Sequence, residues 1–164
     1  MVTCVFPGSF DPVTSGHVHL ISRTAAMFDR VTVAVMINLH KKGSIPVEKR
    51  IELLKTACAH MPNVRIVSWD GLLSDFMRIN NEKILVRGIR NGADYDQECA
   101  SICANRMLNR QLETLLIPSD PEYTGVSSSA VREIASFGGN IEPFVPDGLS
   151  EEIIALLSND KAKD

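Results

Sequence analysis

The stretch Val31-Thr32-Val33-Ala34-Val35-Met36-Ile37 sets the tightest limit on what this chain can fold into. It is almost continuously apolar and rich in β-branched residues, so it has no polar face to offer water. Such a run suits a strand buried on both faces, as in the interior of a parallel sheet. Four other short runs share its character: 2–6, 64–67, 84–86 and 114–117, the last stopped by Pro118. Between them, apolar residues recur at helical spacing. Val18, Leu20, Ile21, Ala25 and Phe28 form one such set, Ile51, Leu54 and Ala57 a second, and Leu72, Phe76 and Ile79 a third. Further helices are predicted from Tyr95 to Leu108, from Ser127 to Ala135, and over about 150–158, with a flexible tail beyond.

No linker, repeat or low-complexity segment interrupts this alternation. It predicts an α/β fold, a single domain over 1–164, with a Rossmann-like five-stranded parallel sheet, helices on both faces and right-handed crossovers. A chain of 164 residues is long enough for one sizeable core. Its net charge of −3 gives no basic field for nucleic acid. No apolar stretch is long enough to span a bilayer, and Val2 to Phe6 is too short for a signal sequence. The expectation is a cytoplasmic protein with neither nucleic-acid nor membrane partners. Cys4, Cys58, Cys99 and Cys103 are expected to be free, buried thiols. No cysteine–histidine cluster has metal-ligand spacing, so no protein metal site is expected.

Ligands of such sheets bind outside the carboxyl ends of the strands. Four unusual stretches follow predicted strands: residues 7–17, 38–43, 87–92 and 118–129. Together they predict one crevice. In the first, Gly8 permits a close backbone approach. Ser15 and Gly16 are expected to precede a helix whose first N–H groups form an anion site, with His17 in the first turn. His19 points to a different face. Lys41 and Lys42 lie in a polar loop with Gly43. Arg87 and Arg90 flank the turn at Gly88, where two guanidinium groups can hold anions bidentately. Ser127, Ser128 and Ser129 stand at a helix start, where capping and phosphate binding are compatible.

Thr14-Ser15-Gly16-His17 resembles the Thr-x-Gly-His opening motif of the nucleotidyltransferase α/β superfamily. With Pro7-Gly8-Ser9-Phe10-Asp11-Pro12 before it, the chain resembles the phosphopantetheine adenylyltransferases of bacteria. Arg87-Gly88-Ile89-Arg90 and Val126-Ser127-Ser128-Ser129 are similar to that family's Arg-Gly-Leu-Arg and Ile-Ser-Ser-Ser. The resemblance implies transfer of AMP from ATP to 4′-phosphopantetheine, giving dephospho-coenzyme A and pyrophosphate. It implies catalytic roles for His17, Lys41 and Arg90, and binding of 4′-phosphopantetheine by Ser9, Lys41, Leu73 and Arg87. The ATP site would comprise Ser9, Phe10, His17, Gly88, Ile89, Arg90, Glu98, Tyr123, Thr124, Gly125, Val126, Ser127, Ser128 and Ser129.

Mg²⁺ would accompany ATP, coenzyme A would act as feedback inhibitor, and the assembly would be a homohexamer. Departures from the family pattern occur at Leu39 and Ile45, at Tyr95-Asp96-Gln97-Glu98, and at Ser101-Ile102-Cys103-Ala104 where the pantetheine arm would pass. Two alternatives stay open: another nucleotidyltransferase, of the nicotinate mononucleotide or cytidylyl type, and a nucleotide-binding module without catalysis.

Overall fold

The computed structural model describes residues 1–38 and 42–161. Lys41, and the end of the tail expected to be flexible, lie outside the described residues. Five strands, β1 (Thr3–Gly8), β2 (Arg30–Met36), β3 (Val64–Trp69), β4 (Ile84–Ile89) and β5 (Glu113–Pro118), form one parallel sheet in the order β3-β2-β1-β4-β5. Helices α1 (Ser15–Ala25), α2 (Val47–Ala57), α3 (Leu73–Ile79), α4 (Gly92–Leu108) and α5 (Ser128–Ser136) fill the chain between and after the strands, and α6 (Ser150–Lys161) closes it. No described helix is long and apolar enough to cross a membrane.

Side chains of successive strand residues leave the sheet on opposite faces, and two cores result. Cys4, Phe6, Val31, Val33, Val35 and Val86 pack with Leu20 and Ile21 of α1, Leu53 and Leu54 of α2, Val131 of α5 and Ile153 of α6. Val5, Ala34 and Leu85 face the other way, onto Phe76 and Met77 of α3 and Leu112. This is why Val31 to Met36 needed apolar residues at nearly every position. Helix α4 buries none of its residues. It leaves Cys99 half-buried and Cys103 exposed, against the expectation that all the thiols are buried. Burial pushes the Cys58 thiol up to about 11, and burial with Glu82 beside it pushes Cys4 up to about 12.

Three boundaries differ from the sequence reading. The helix after the first loop starts at Ser15 because Thr14 caps it, accepting the His17 N–H at 3.3 Å. Arg87, Gly88 and Ile89 belong to β4 rather than to a loop after it. Pairing with Leu116, Ile117 and Pro118 carries the strand that far. Helix α4 starts at Gly92, with the Asn91 side chain accepting from the Asp94 N–H at 3.0 Å.

The strand order reverses between β1 and β4, which makes their carboxyl ends the switch point where a crevice forms. Gly88 sits there against α1. A Cβ on it would lie 2.3 Å from Leu20 Cδ1. Gly88→Ala is therefore expected to destabilise the fold by about 1–3 kcal/mol, the usual range for overpacking. A denaturant midpoint equal to wild type would show that Leu20 moves aside freely.

Candidate active site

Two cavities open at the switch point. The first, about 300 Å³, is lined by Ser9, Phe10, His17, Arg87, Gly88, Arg90, Glu98, Tyr123, Val126, Ser127 and Ser128, among others. The second, about 290 Å³, is lined by Met36, Leu73, Leu85, Ser101, Ile102 and Asn105, among others. They share Pro7, Gly8, Ser9, Arg87 and Glu98 as a common wall. Three of the four unusual sequence stretches thus meet, as the strand-end rule requires.

Local chemistry fixes the first cavity. His17 Nδ1 lies 3.1 Å from the Thr14 N–H, which donates to it, while Thr14 Oγ1 accepts the His17 N–H. This reciprocal capping box places the imidazole proton on Nε2. Burial first, then the charges of Arg87 and Arg90, lower the His17 pKa to about 4. The ring is neutral at physiological pH and offers one N–H. The Phe10 ring meets it edge-on at 5.1 Å. Phe10 itself takes a left-handed φ of 47°, a strained conformation for a bulky residue. Its ring lies under Gly8, where any Cβ would sit 2.9 Å from the Phe10 Cζ.

The arginines are already braced. Arg87 Nε donates to both Glu98 oxygens at 3.0 Å, Nη2 to Glu98 Oε1 at 2.6 Å, and Nη1 to the Pro7 carbonyl at 2.5 Å. A guanidinium has five N–H groups, so Arg87 keeps one on each Nη. Arg90 is held by Asp94 through Nε at 2.9 Å and Nη2 at 3.1 Å, and Asp94 also accepts the Arg90 backbone N–H at 3.0 Å. The hydrogen bond from Arg90 holds the Asp94 carboxyl below its ordinary range. Asp94 was not recognised in the sequence, although its position four residues after Arg90 is the spacing of a helical ion pair.

At the far side, Ser127 caps α5 by accepting the Ala130 N–H at 3.1 Å, and Ser128 Oγ donates to the Pro12 carbonyl at 2.7 Å. The N-termini of α1 and α5 therefore face one volume, and each brings the partial positive charge of a helix start. Of the other residues in the expected set, Ile89 is half-buried on β4, while Thr124, Gly125 and Ser129 are exposed; none of them lines either cavity. Leu73, Ser101 and Ile102 do line the second cavity, and Cys103 does not. Among the described residues, no three His, Cys, Asp or Glu side chains are grouped to hold a metal ion. Both cavity carboxylates, Asp94 and Glu98, are engaged by arginines.

A parallel α/β sheet with two helix starts, a neutral histidine and two braced arginines around its switch point defines a nucleotidyltransferase-type protein. The cytidylyltransferase-like family model matches residues 5–134. Curated relatives named phosphopantetheine adenylyltransferase include one from Clostridium perfringens, 42% identical over 93% of this chain and 95% of that protein. One from Dictyoglomus thermophilum is 43% identical over 93% of both. One from Finegoldia magna is 42% identical over 91% and 92%. A solved structure from Vibrio parahaemolyticus, described provisionally as a nicotinate-nucleotide adenylyltransferase, superposes with a TM-score of 0.68. It covers 96% of this chain and 91% of its own at 16% identity, a likeness of fold alone. The chain belongs to the phosphopantetheine adenylyltransferase family.

Proposed function

We propose that this protein transfers the adenylyl group of ATP to 4′-phosphopantetheine, releasing pyrophosphate and forming dephospho-coenzyme A. The observation that carries the reading is the pair of cavities joined at Ser9, Arg87 and Glu98. One has the helix starts and cations that a triphosphate needs. The other has the apolar side chains of Met36, Leu73, Leu85 and Ile102 for an uncharged arm.

In the reaction, an oxygen of the acceptor phosphate forms a bond to the α-phosphorus, and the bond from that phosphorus to the pyrophosphate oxygen breaks. Such chemistry asks mainly for positioning and charge stabilisation. The remaining N–H groups of Arg87 hold the acceptor phosphate at the shared wall. His17 donates its Nε2–H to an α-phosphate oxygen as negative charge builds there. Arg90 and the start of α5 receive the leaving phosphates.

Mg²⁺ would shield the triphosphate and be held chiefly by it, since the nearby carboxylates are committed to arginines. Coenzyme A contains the same arm and would compete for the second cavity. Exposed Tyr95, Met107 and Leu108 on α4 and Leu115 on β5 support burial between copies in a homohexamer, and a cytoplasmic location suits the proposed substrates.

Pyrophosphate release with ATP and 4′-phosphopantetheine tests the reading. Release with ATP and a different acceptor, but none with 4′-phosphopantetheine, would assign the chain another transferase activity. In the same assay Lys41→Ala is expected to lower turnover far more than Lys42→Ala. Equal losses would overturn the choice of Lys41 over Lys42 that the family resemblance implies.

A further inference from the structure

His19 was set apart from His17 by its helical face, and it finds a partner 101 residues away. Its Nε2 lies 2.8 Å from Asp120 Oδ2. Arg23, one turn further along α1, reaches the other oxygen of the same carboxylate, Nη1 to Asp120 Oδ1 at 3.0 Å, and the Pro118 carbonyl at 2.7 Å. The His19 ring also stacks on Tyr123, with centroids 4.6 Å apart and planes 26° from parallel. Gly16 of α1 packs against the same segment: a Cβ there would meet Tyr123 Cβ at 3.5 Å and Val126 Cβ at 3.8 Å, ordinary contact distances. In the segment from Ser119 to Ser127, Pro121, Glu122, Thr124 and Gly125 are exposed. Its bonds are local turns, with Thr124 N–H and Oγ1 both on the Pro121 carbonyl, and two further ties to its surroundings: Ser119 N–H to the Ile89 carbonyl at 2.8 Å and Arg90 Nη1 to the Val126 carbonyl at 3.4 Å. The Tyr123 N–H donates to the Asp120 carbonyl at 2.9 Å, and the Val126 N–H to the Tyr123 carbonyl at 3.0 Å. Yet Ser119, Tyr123, Val126 and Ser127 form one wall of the first cavity.

We propose that His19, with Arg23 and Asp120, is a positioning residue for ATP: it clasps the segment after β5 to α1 and so fixes the Tyr123–Ser127 wall of the first cavity. The assignment of that cavity to ATP rests on the function proposed above; the clasp itself rests on the contacts. The carboxylate accepts, so the His19 proton sits on Nε2 and points at Asp120. None of the three side chains lines the cavity, and they act on ATP only through the wall they hold. Each contact is partly exposed, with side-chain exposures of 26% for His19, 37% for Arg23 and 46% for Asp120. The effect is therefore modest per contact and larger for the carboxylate, which holds both His19 and Arg23.

The test uses His19→Ala and Asp120→Asn in the full chain. ATP affinity is read by calorimetry without acceptor, steady-state constants by pyrophosphate release, and amide exchange at Tyr123 and Val126 in the free protein. About threefold weaker ATP binding is expected for His19→Ala and about fivefold for Asp120→Asn, with kcat and the KM for 4′-phosphopantetheine unchanged. Exchange at the two amides should quicken by a similar factor while β4 amides stay as in wild type. The double variant should lose clearly less ATP affinity than the two single losses combined, because both changes remove the same His19–Asp120 contact. Equal ATP affinity in wild type and both variants overturns the proposal, as does an equal loss for both substrates. If wild type itself binds no ATP, the functional reading fails instead. The exchange rates then decide the clasp, and unchanged rates at Tyr123 and Val126 overturn it.

Discussion

His17→Ala is expected to lower turnover by about 10²–10³-fold, the usual cost of removing one transition-state donor, while ATP affinity falls much less. The reason lies in the capping box. Thr14 presents its N–H to Nδ1 and so fixes both the ring's orientation and its tautomer. The Nε2–H is thereby available for charge that develops on the α-phosphate. A donor that waits neutral costs no proton transfer before the chemistry begins.

The pKa of about 4 gives this prediction a second edge. It lies below the ordinary histidine value of 6.5, so the unfolded chain takes up a proton before the folded one does. The stability contributed by neutral His17 is complete above pH 6.5 and is lost as pH falls toward 4. Wild-type melting temperature should therefore drop more steeply than that of His17→Ala between those limits. The profile of kcat/KM, which reports the free enzyme, should carry no His17 inflection between about pH 6 and 8. An inflection in that window that vanishes in His17→Ala would mean the imidazole is charged at rest, and the capping-box account would be lost.

Periodicity and strand-end position made the sheet, its parallel sense and the crevice readable in the sequence, because each depends on local spacing. Val31 to Met36 forms an inner strand, and three of the four punctuated stretches meet at the carboxyl ends of strands. What escaped were pairings between distant segments. Nothing in the residues around Asp120 points to His19 and Arg23 on α1, and nothing around Asp11 points to Arg50. Glu98 was readable as a site residue by resemblance, but not as the brace of Arg87, since that requires knowing how α4 lies against β4. Arg87, Gly88 and Ile89 were read as loop because Gly suggested a turn; here Gly88 stays in the strand and makes room for Leu20. The buried-thiol expectation failed at Cys103 for a related reason: helical spacing says which residues share a face, not whether anything covers that face.

Asp11→Ala is expected to destabilise the protein by about 3–5 kcal/mol, the range for breaking a buried charge pair from one side. Asp11 is only 9% exposed. Its Oδ2 accepts the Ser44 N–H and its Oδ1 the Ile45 N–H, both at 2.8 Å. Arg50, itself 6% exposed, lies 3.5 Å from Oδ1 through Nε, donates to the Ile45 carbonyl at 2.6 Å, and reaches the Ser9 carbonyl at 3.3 Å. Three polar groups therefore depend on one carboxylate that joins the loop after β1 to the loop after β2. Removing it leaves a buried guanidinium without its counter-charge and two N–H groups without acceptors, each costing about 1–3 kcal/mol. For a domain of this size such a loss corresponds to a melting temperature lower by roughly ten degrees.

Arg50→Met, which keeps an apolar stem of similar length, should also destabilise, because it strands the carboxylate instead. The double change should cost clearly less than the two single changes added together, since it strands neither charge. Strict additivity in that cycle, measured by denaturant unfolding, would show that Asp11 and Arg50 act separately. Turnover should fall in Asp11→Ala even at temperatures where it is fully folded, because Asp11 follows the cavity-lining Ser9 and Phe10 and anchors Ser44 and Ile45.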